Sequence, residues 1–192
     1  MTSILFKKGK NIGFPASENS ATLRIDNWDD YSFKTQFSLS LRDEIGNIHE
    51  IGDIKIGFIN QSESATSDFL NETFEKLPDG YFSIGQAPEY YKKIRLLNKD
   101  IRTALLTALK DVVYFPQLRS QIESEPVFST SLTRGISKSA IVGQFSRILS
   151  GGNILTPFNF SYRHDGDEKT AAYNLDFKVK PESKPSTNIH VL

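Results

Sequence analysis

Apolar and polar positions alternate with period two over residues 32–41, where Phe33, Thr35, Phe37, Leu39 and Leu41 are separated by polar neighbours. Side chains alternate faces along a strand, so the pattern predicts a half-buried strand. Asp43, Glu44, Gly46 and Asn47 supply turn chemistry. Ile48, Glu50 and the run Ile54-Lys55-Ile56-Gly57-Phe58-Ile59 then predict the returning strand of a hairpin. Ile4-Leu5-Phe6 and Leu23-Arg24-Ile25 are shorter strand candidates. Together they predict an N-terminal antiparallel sheet or small sandwich with one dry face.

A Ser-rich stretch, residues 61–67, predicts a linker, residues 68–74 predict one or two helical turns, and Leu77-Pro78-Asp79-Gly80 predicts a turn. From Pro88 the period becomes helical: Tyr90, Tyr91, Ile94, Leu97 and Ile101 recur at three and four, followed by Leu105, Leu106, Leu109, Val112 and Val113, with Asp100 near a helix start. Pro116 and Pro126 bracket a short amphipathic piece with Leu118 and Ile122. Residues 137–149 predict another helix, with Ser137 as N-cap, a stripe of Ile141, Phe145, Ile148 and Leu149, and a stop at Gly151-Gly152. Residues 158–162 and 173–179 alternate as strands around a His164-Asp165-Gly166-Asp167 turn, and Ile189 to Leu192 predict a last apolar strand after a polar stretch, residues 181–187. The predicted class is α+β. Its expected parts are strands in 1–62, helices in 63–153 and C-terminal strands in 154–192.

Composition sharpens this outline. The 192 residues contain no Cys, which excludes disulfides, thiolate metal sites and a cysteine nucleophile, and makes a reducing cytoplasm the natural setting. Ile4, Leu5 and Phe6 precede Lys7, Lys8 and Lys10, the reverse of a secretory signal, and no apolar window is long enough to span a membrane. The net charge of zero averages unlike parts. Residues 11–89 hold fourteen acids against five bases, a net of −9, and residues 90–164 hold eleven bases against four acids, a net of +7. No acid lies between Glu125 and Asp165. Such a split predicts either two faces that dock on each other or one basic surface for a polyanion.

Candidate chemistry is sparse. His49, His164 and His190 form no ligand-spaced pair, and the motifs of serine hydrolases, zinc proteases and phosphate loops are missing, so no catalytic, cofactor or metal site is expected within these residues. The His164-Asp165-Gly166-Asp167-Glu168 run has the composition of an exposed hairpin turn. Residues 132–142 have the shape of the turn and second helix of a helix-turn-helix, with Arg134, Lys138 and, farther on, Arg147 as candidate nucleic-acid contacts. That motif needs a packed helix upstream, whereas Val127 to Ser131 read as a strand or loop; the alternative is a core helix with an ordinary cap. Tyr90, Tyr91, Lys92, Lys93 and Arg95 interleave rings with bases, as a single-strand surface does. The alternative there is a helix that buries its rings and solvates its bases.

The run Tyr173-Asn174-Leu175-Asp176-Phe177-Lys178-Val179, followed by residues 186–192, resembles the start of a prokaryotic ABC/AAA-type P-loop ATPase core, in which antiparallel strands lead to a buried strand and then the phosphate loop. Residues 80–86 with Tyr90-Tyr91, and residues 144–152 leading to Leu155-Thr156-Pro157-Phe158, resemble the N-terminal extension of such ATPases, some of which are associated with phage defence. No Walker A lysine, Walker B acid or ABC signature occurs here, so the resemblance carries over no nucleotide-site residue. The apolar Ile189 to Leu192 end without a polar cap, as a chain cut just before a phosphate loop would. The resemblance implies a non-catalytic interaction or regulatory module whose partner is an ATPase core or another protein subunit, with no membrane contact. A nucleic-acid-binding protein, with DNA or RNA as partner of the basic 90–164 region, is the competing expectation.

Overall fold

The computed structural model describes residues 2–152 and 158–179, which fall into two compact units, residues 1–151 and 152–192. In the first unit six strands form one sheet, in the order β5-β1-β2-β3-β4-β6. These are β1 (Leu5–Gly9), β2 (Ser20–Ile25), β3 (Gln36–Arg42), β4 (Ile48–Phe58), β5 (Thr73–Phe74) and β6 (Tyr81–Gly85). The fold is mixed α+β, and the sheet itself is mixed: β1 runs parallel to β2, and the remaining neighbours are antiparallel. A parallel pair leaves no mark in hydrophobic alternation, which explains the expectation of a purely antiparallel sheet.

The alternation does fix which side is dry. On β3, Phe37, Leu39 and Leu41 are buried while Gln36, Ser38, Ser40 and Arg42 stay half-exposed. Register sets Leu41 and Leu39 opposite Ala21 and Leu23, and aligns Ile25, Phe37 and Ile54 across three strands. Residues 32–35 are not part of the strand. Tyr31 and Ser32 adopt positive φ (52° and 70°), and backbone bonds between Asp30 and Phe33 close a tight loop before β3 begins.

Helices α1 (Pro88–Leu96) and α2 (Lys99–Ala108) bury Tyr90, Tyr91, Ile94, Ile101, Leu105 and Leu106 at the expected spacing. The Asn98 side chain caps α2 by accepting from the Asp100 N–H at 2.9 Å. After α3 (Pro116–Ile122) come a wide helical turn at Phe128–Leu132, a second at Ala140–Phe145, and α4 (Ser146–Leu149). Val127 to Ser131 are therefore helical rather than strand or loop, with Val127, Phe128, Ser131 and Leu132 buried. Ser137 Oγ accepts from the Ala140 N–H at 3.1 Å, and Gly151, at φ +79°, ends the last helix.

Residues 61–67 do not behave as a linker. Gln61 and Thr66 are buried, and Thr66 Oγ1 donates to the Ile56 carbonyl at 2.7 Å while accepting from Gln61 Nε2 at 3.1 Å. Thr66–Asp68 form one 3-10 turn, residues 68–74 do not continue it as the expected helical turns but lead into the strand β5, and β5 and β6 rejoin the sheet. The boundary between the two compact units falls near residue 151. In the second unit, β7 (Phe158–His164) and β8 (Tyr173–Val179) pair antiparallel as expected, with Asp167 organising the turn by accepting from the Lys169 and Thr170 N–H groups. The expected strand at Ile189 to Leu192 and the polar stretch before it lie outside the described residues.

Candidate functional site

The most elaborate polar arrangement of the first unit is built on Asp30, only 1% exposed. Its Oδ2 accepts from Lys55 Nζ at 2.6 Å and Ser131 Oγ at 2.8 Å, and its Oδ1 accepts from Arg134 Nη1 at 2.8 Å and Trp28 Nε1 at 2.9 Å. Lys55, 3% exposed, also donates to the Ser131 carbonyl at 3.0 Å, and Ser131 Oγ lies 2.8 Å from Thr35 Oγ1. Burial raises the Asp30 pKa, but the bonds from Lys55, Trp28, Ser131 and Arg134 outweigh it and hold the carboxyl at about 2. The carboxylate is thus ionised at neutral pH, and it ties the 26–35 loop, the middle of β4 and the Phe128–Leu132 turn together. Ser131 is fully buried against this group, so a substrate has no route to its hydroxyl.

A second buried acid works differently. Asp111 Oδ1 accepts from the Val113 and Tyr114 N–H groups at 2.9 and 3.0 Å, and Oδ2 accepts from the Tyr91 hydroxyl at 3.1 Å. The Tyr91 oxygen in turn accepts from the Gly85 N–H at 3.0 Å. Burial dominates and pushes the Asp111 pKa up to about 6, because no cation offsets it and only the backbone N–H groups and Tyr91 favour the charged form. Burial and the Asp111 charge push the Tyr90 and Tyr91 hydroxyls well above their ordinary value. The Tyr90 ring lies close against Gly85, where a side chain would strike it, and its hydroxyl is buried without a protein partner. Asp111 thus joins the loop after α2 to α1 and, through the Tyr91 hydroxyl, to Gly85 at the end of β6.

Of the six cations considered for nucleic-acid contact, Lys92, Lys93 and Arg95 lie on α1, which packs on the α4 that carries Arg147, while Arg134 and Lys138 lie between the two wide helical turns. Lys92 pairs with Glu89 at 2.9 Å, Lys138 with Glu123 at 3.0 Å, and Arg134 with Asp30. Lys93 donates to the Glu50 carbonyl at 2.8 Å. Arg95 and Arg147 are exposed on α1 and α4, two helices that pack on each other, and the Arg95 guanidinium lies against Gly151. Tyr90 and Tyr91 are buried, so the rings interleaved with these bases have no face open for a nucleobase. The charge split is partly neutralised inside the unit: Arg134 meets Asp30 and Lys110 meets Asp79 at 2.9 Å, each joining the basic segment to the acidic one. His49 Nε2 lies 2.9 Å from Asp43 Oδ2, His164 packs against the Tyr173 ring, and His190 lies outside the described residues. Among the described residues no group of three or more His, Asp or Glu could hold a metal ion, and no helix is long and apolar enough to cross a membrane.

Sequence reasoning passed over Asp30, Lys55, Ser131 and Asp111. A signal existed for two of them. Lys55 interrupts the apolar run Ile54 to Phe58, and Asp111 sits among Leu109, Val112 and Val113, where a charge needs a partner or a shifted pKa. The partners, 25 and 76 residues from Lys55, carried no such mark.

The chain is similar to protein ea59 of Escherichia phage lambda, with 41% identity over 178 residues, which make up 92% of this chain and 34% of the phage protein. It therefore spans about a third of the length of that relative. No family model and no solved structure matches the chain.

Proposed function

We propose that this chain is a non-catalytic interaction or regulatory module of a larger prokaryotic P-loop ATPase, with the nucleotide site outside these residues. The observation that carries the reading is the proportion of the match: nearly the whole chain aligns with about a third of a longer phage polypeptide. A stretch that recurs as one part of a longer protein is a building block of it, and the first unit has the size of an independently folding domain. The chemistry of the first unit agrees. Its two buried carboxylates are consumed by internal ties, Asp30 by two cations and Asp111 by backbone N–H groups and Tyr91. The resemblance of residues 173–179 and 186–192 to the entry of an ATPase core names the class of the remainder.

The test compares ATP binding and turnover by the isolated chain with those of the natural gene product, whole and with residues 2–151 removed. The isolated chain is expected to neither retain nor hydrolyse ATP. The natural product is expected to bind nucleotide in both forms and to change its turnover or assembly when residues 2–151 are absent. Hydrolysis by the isolated chain, or a natural product without a phosphate loop, overturns the reading.

The competing reading, nucleic-acid binding by residues 90–164, draws on the +7 net charge there. It requires an affinity that falls steeply with salt and weakens about equally on Lys92→Ala, Lys93→Ala and Arg147→Ala.

A further inference from the structure

The loop that buries Asp30 also holds the protein's sole tryptophan out in solvent. Trp28 is 55% exposed and Tyr31 70%, and the Arg134 guanidinium lies over the Tyr31 ring at 4.8 Å with its side chain 46% exposed. This presentation is held firmly. The Trp28 indole N–H and Arg134 are both fastened to Asp30, the Ser32 N–H donates to Asp29 Oδ1 at 2.6 Å, and Asp30 and Phe33 exchange backbone bonds. Tyr31 and Ser32 adopt left-handed backbone to do so, a conformation that carries strain at non-glycine positions. Tyr31 recovers little of that through burial, because most of its ring faces water.

We propose that the Trp28–Tyr31–Arg134 face is a homodimer contact that docks on the same face of a second copy of this chain. A two-fold contact requires one patch to complement itself. The ionisable groups of the loop and those bonded to it are Asp26, Asp29 and Asp30 against Lys34, Lys55 and Arg134, a net of zero. Two copies therefore meet without the repulsion that an acidic or basic patch would give. The face also holds both halves of a reciprocal cation–π contact, a guanidinium and two exposed rings, in the residue types that dominate binding hot spots. The Arg134 plane of each copy lies on Trp28 or Tyr31 of the other. Because Trp28 and Tyr31 are only 55% and 70% exposed, each adds just that share of the roughly 150–250 Å² that such a ring buries in full, which places the contact below the standard interface size and makes the dimer weak and concentration-dependent. The inference stands on the first unit alone and does not depend on the ATPase reading.

Sedimentation velocity of the whole chain across a micromolar concentration series tests it, with Trp28 emission followed in parallel. The expected result is a monomer–dimer equilibrium in which Trp28 emission shifts to the blue as dimer forms. Tyr31→Gly removes the ring and relieves the left-handed strain together. It is expected to weaken dimerisation at least tenfold while thermal stability is kept or raised. A monomer throughout the series overturns the proposal, as does a dimer indifferent to Tyr31→Gly. A Trp28 shift caused by adding single-stranded DNA to a chain that stays monomeric also overturns it, by giving the face a different occupant.

Discussion

Replacing Asp111 by Asn changes the charge of the buried site while keeping its shape. In the folded protein the carboxyl titrates at about 6, against 3.8 for the ordinary group. Because the folded pKa is the higher one, the folded state binds this proton more tightly, so the stabilisation is fully present below pH 3.8 and is lost as pH rises through 6. A shift of this size corresponds to about 3 kcal/mol, of which about 2 kcal/mol is lost between pH 4 and pH 7. An Asn carbonyl can still accept from the Val113 and Tyr114 N–H groups, but its NH₂ cannot accept from the Tyr91 hydroxyl. That orphaned hydroxyl costs about 1–3 kcal/mol at every pH. At pH 7 the two effects roughly cancel, so a single stability value at neutral pH is a poor readout and the slope is the informative one. Urea denaturation at half-unit steps from pH 4 to pH 7, with the curve of the Asp111→Asn variant subtracted from that of the natural protein, isolates this carboxyl from those on the surface. The difference is expected to favour the natural protein by about 2 kcal/mol more at pH 4 than at pH 7. A flat difference curve would refute the reasoning, since it would mean that Asp111 is ionised at its ordinary pH despite its burial.

Asp30→Ala strands Lys55 as a buried cation and is expected to destabilise by about 3–5 kcal/mol in chemical denaturation. Lys55→Met should cost less, because Arg134, Ser131 and Trp28 still satisfy Asp30. The Asp30 pKa is depressed, so its contribution is present above pH 3.8 and is expected to disappear as pH falls toward 2, visible as a steep loss of melting temperature there that Asp30→Ala lacks. Gly85→Ala drives a methyl into the Tyr90 ring and is expected to lower stability by at least about 1–3 kcal/mol, with a change in near-ultraviolet dichroism reporting the displaced tyrosine. Ser137→Ala removes the acceptor for the Ala140 N–H and is expected to cost about 0.5–2 kcal/mol, measurable by thermal melting.

What the sequence determined by itself is the local part of the structure. The period-two run on β3, the helical stripe from Tyr90 to Leu106, the Ser137 cap, the Gly151 stop and the β7–β8 hairpin all follow from side-chain spacing and turn chemistry, which need no knowledge of distant residues, whereas Val112 and Val113, expected to continue that stripe, lie in a turn beyond the end of α2. Tertiary structure decided the rest. The parallel β1–β2 pairing, the fixing of residues 61–67, and the helical state of Val127 to Ser131 depend on surfaces contributed from elsewhere in the chain. The clearest case is Asp30. Alternation extended backward from Phe33 would turn Tyr31 inward and Asp30 outward, yet the left-handed turn at Tyr31 and Ser32 reverses the two. That reversal holds because Lys55, Ser131 and Arg134, lying 25, 101 and 104 residues away, converge on the carboxylate, and the strength of a buried charge interaction depends on spatial proximity, which spacing along the chain does not encode.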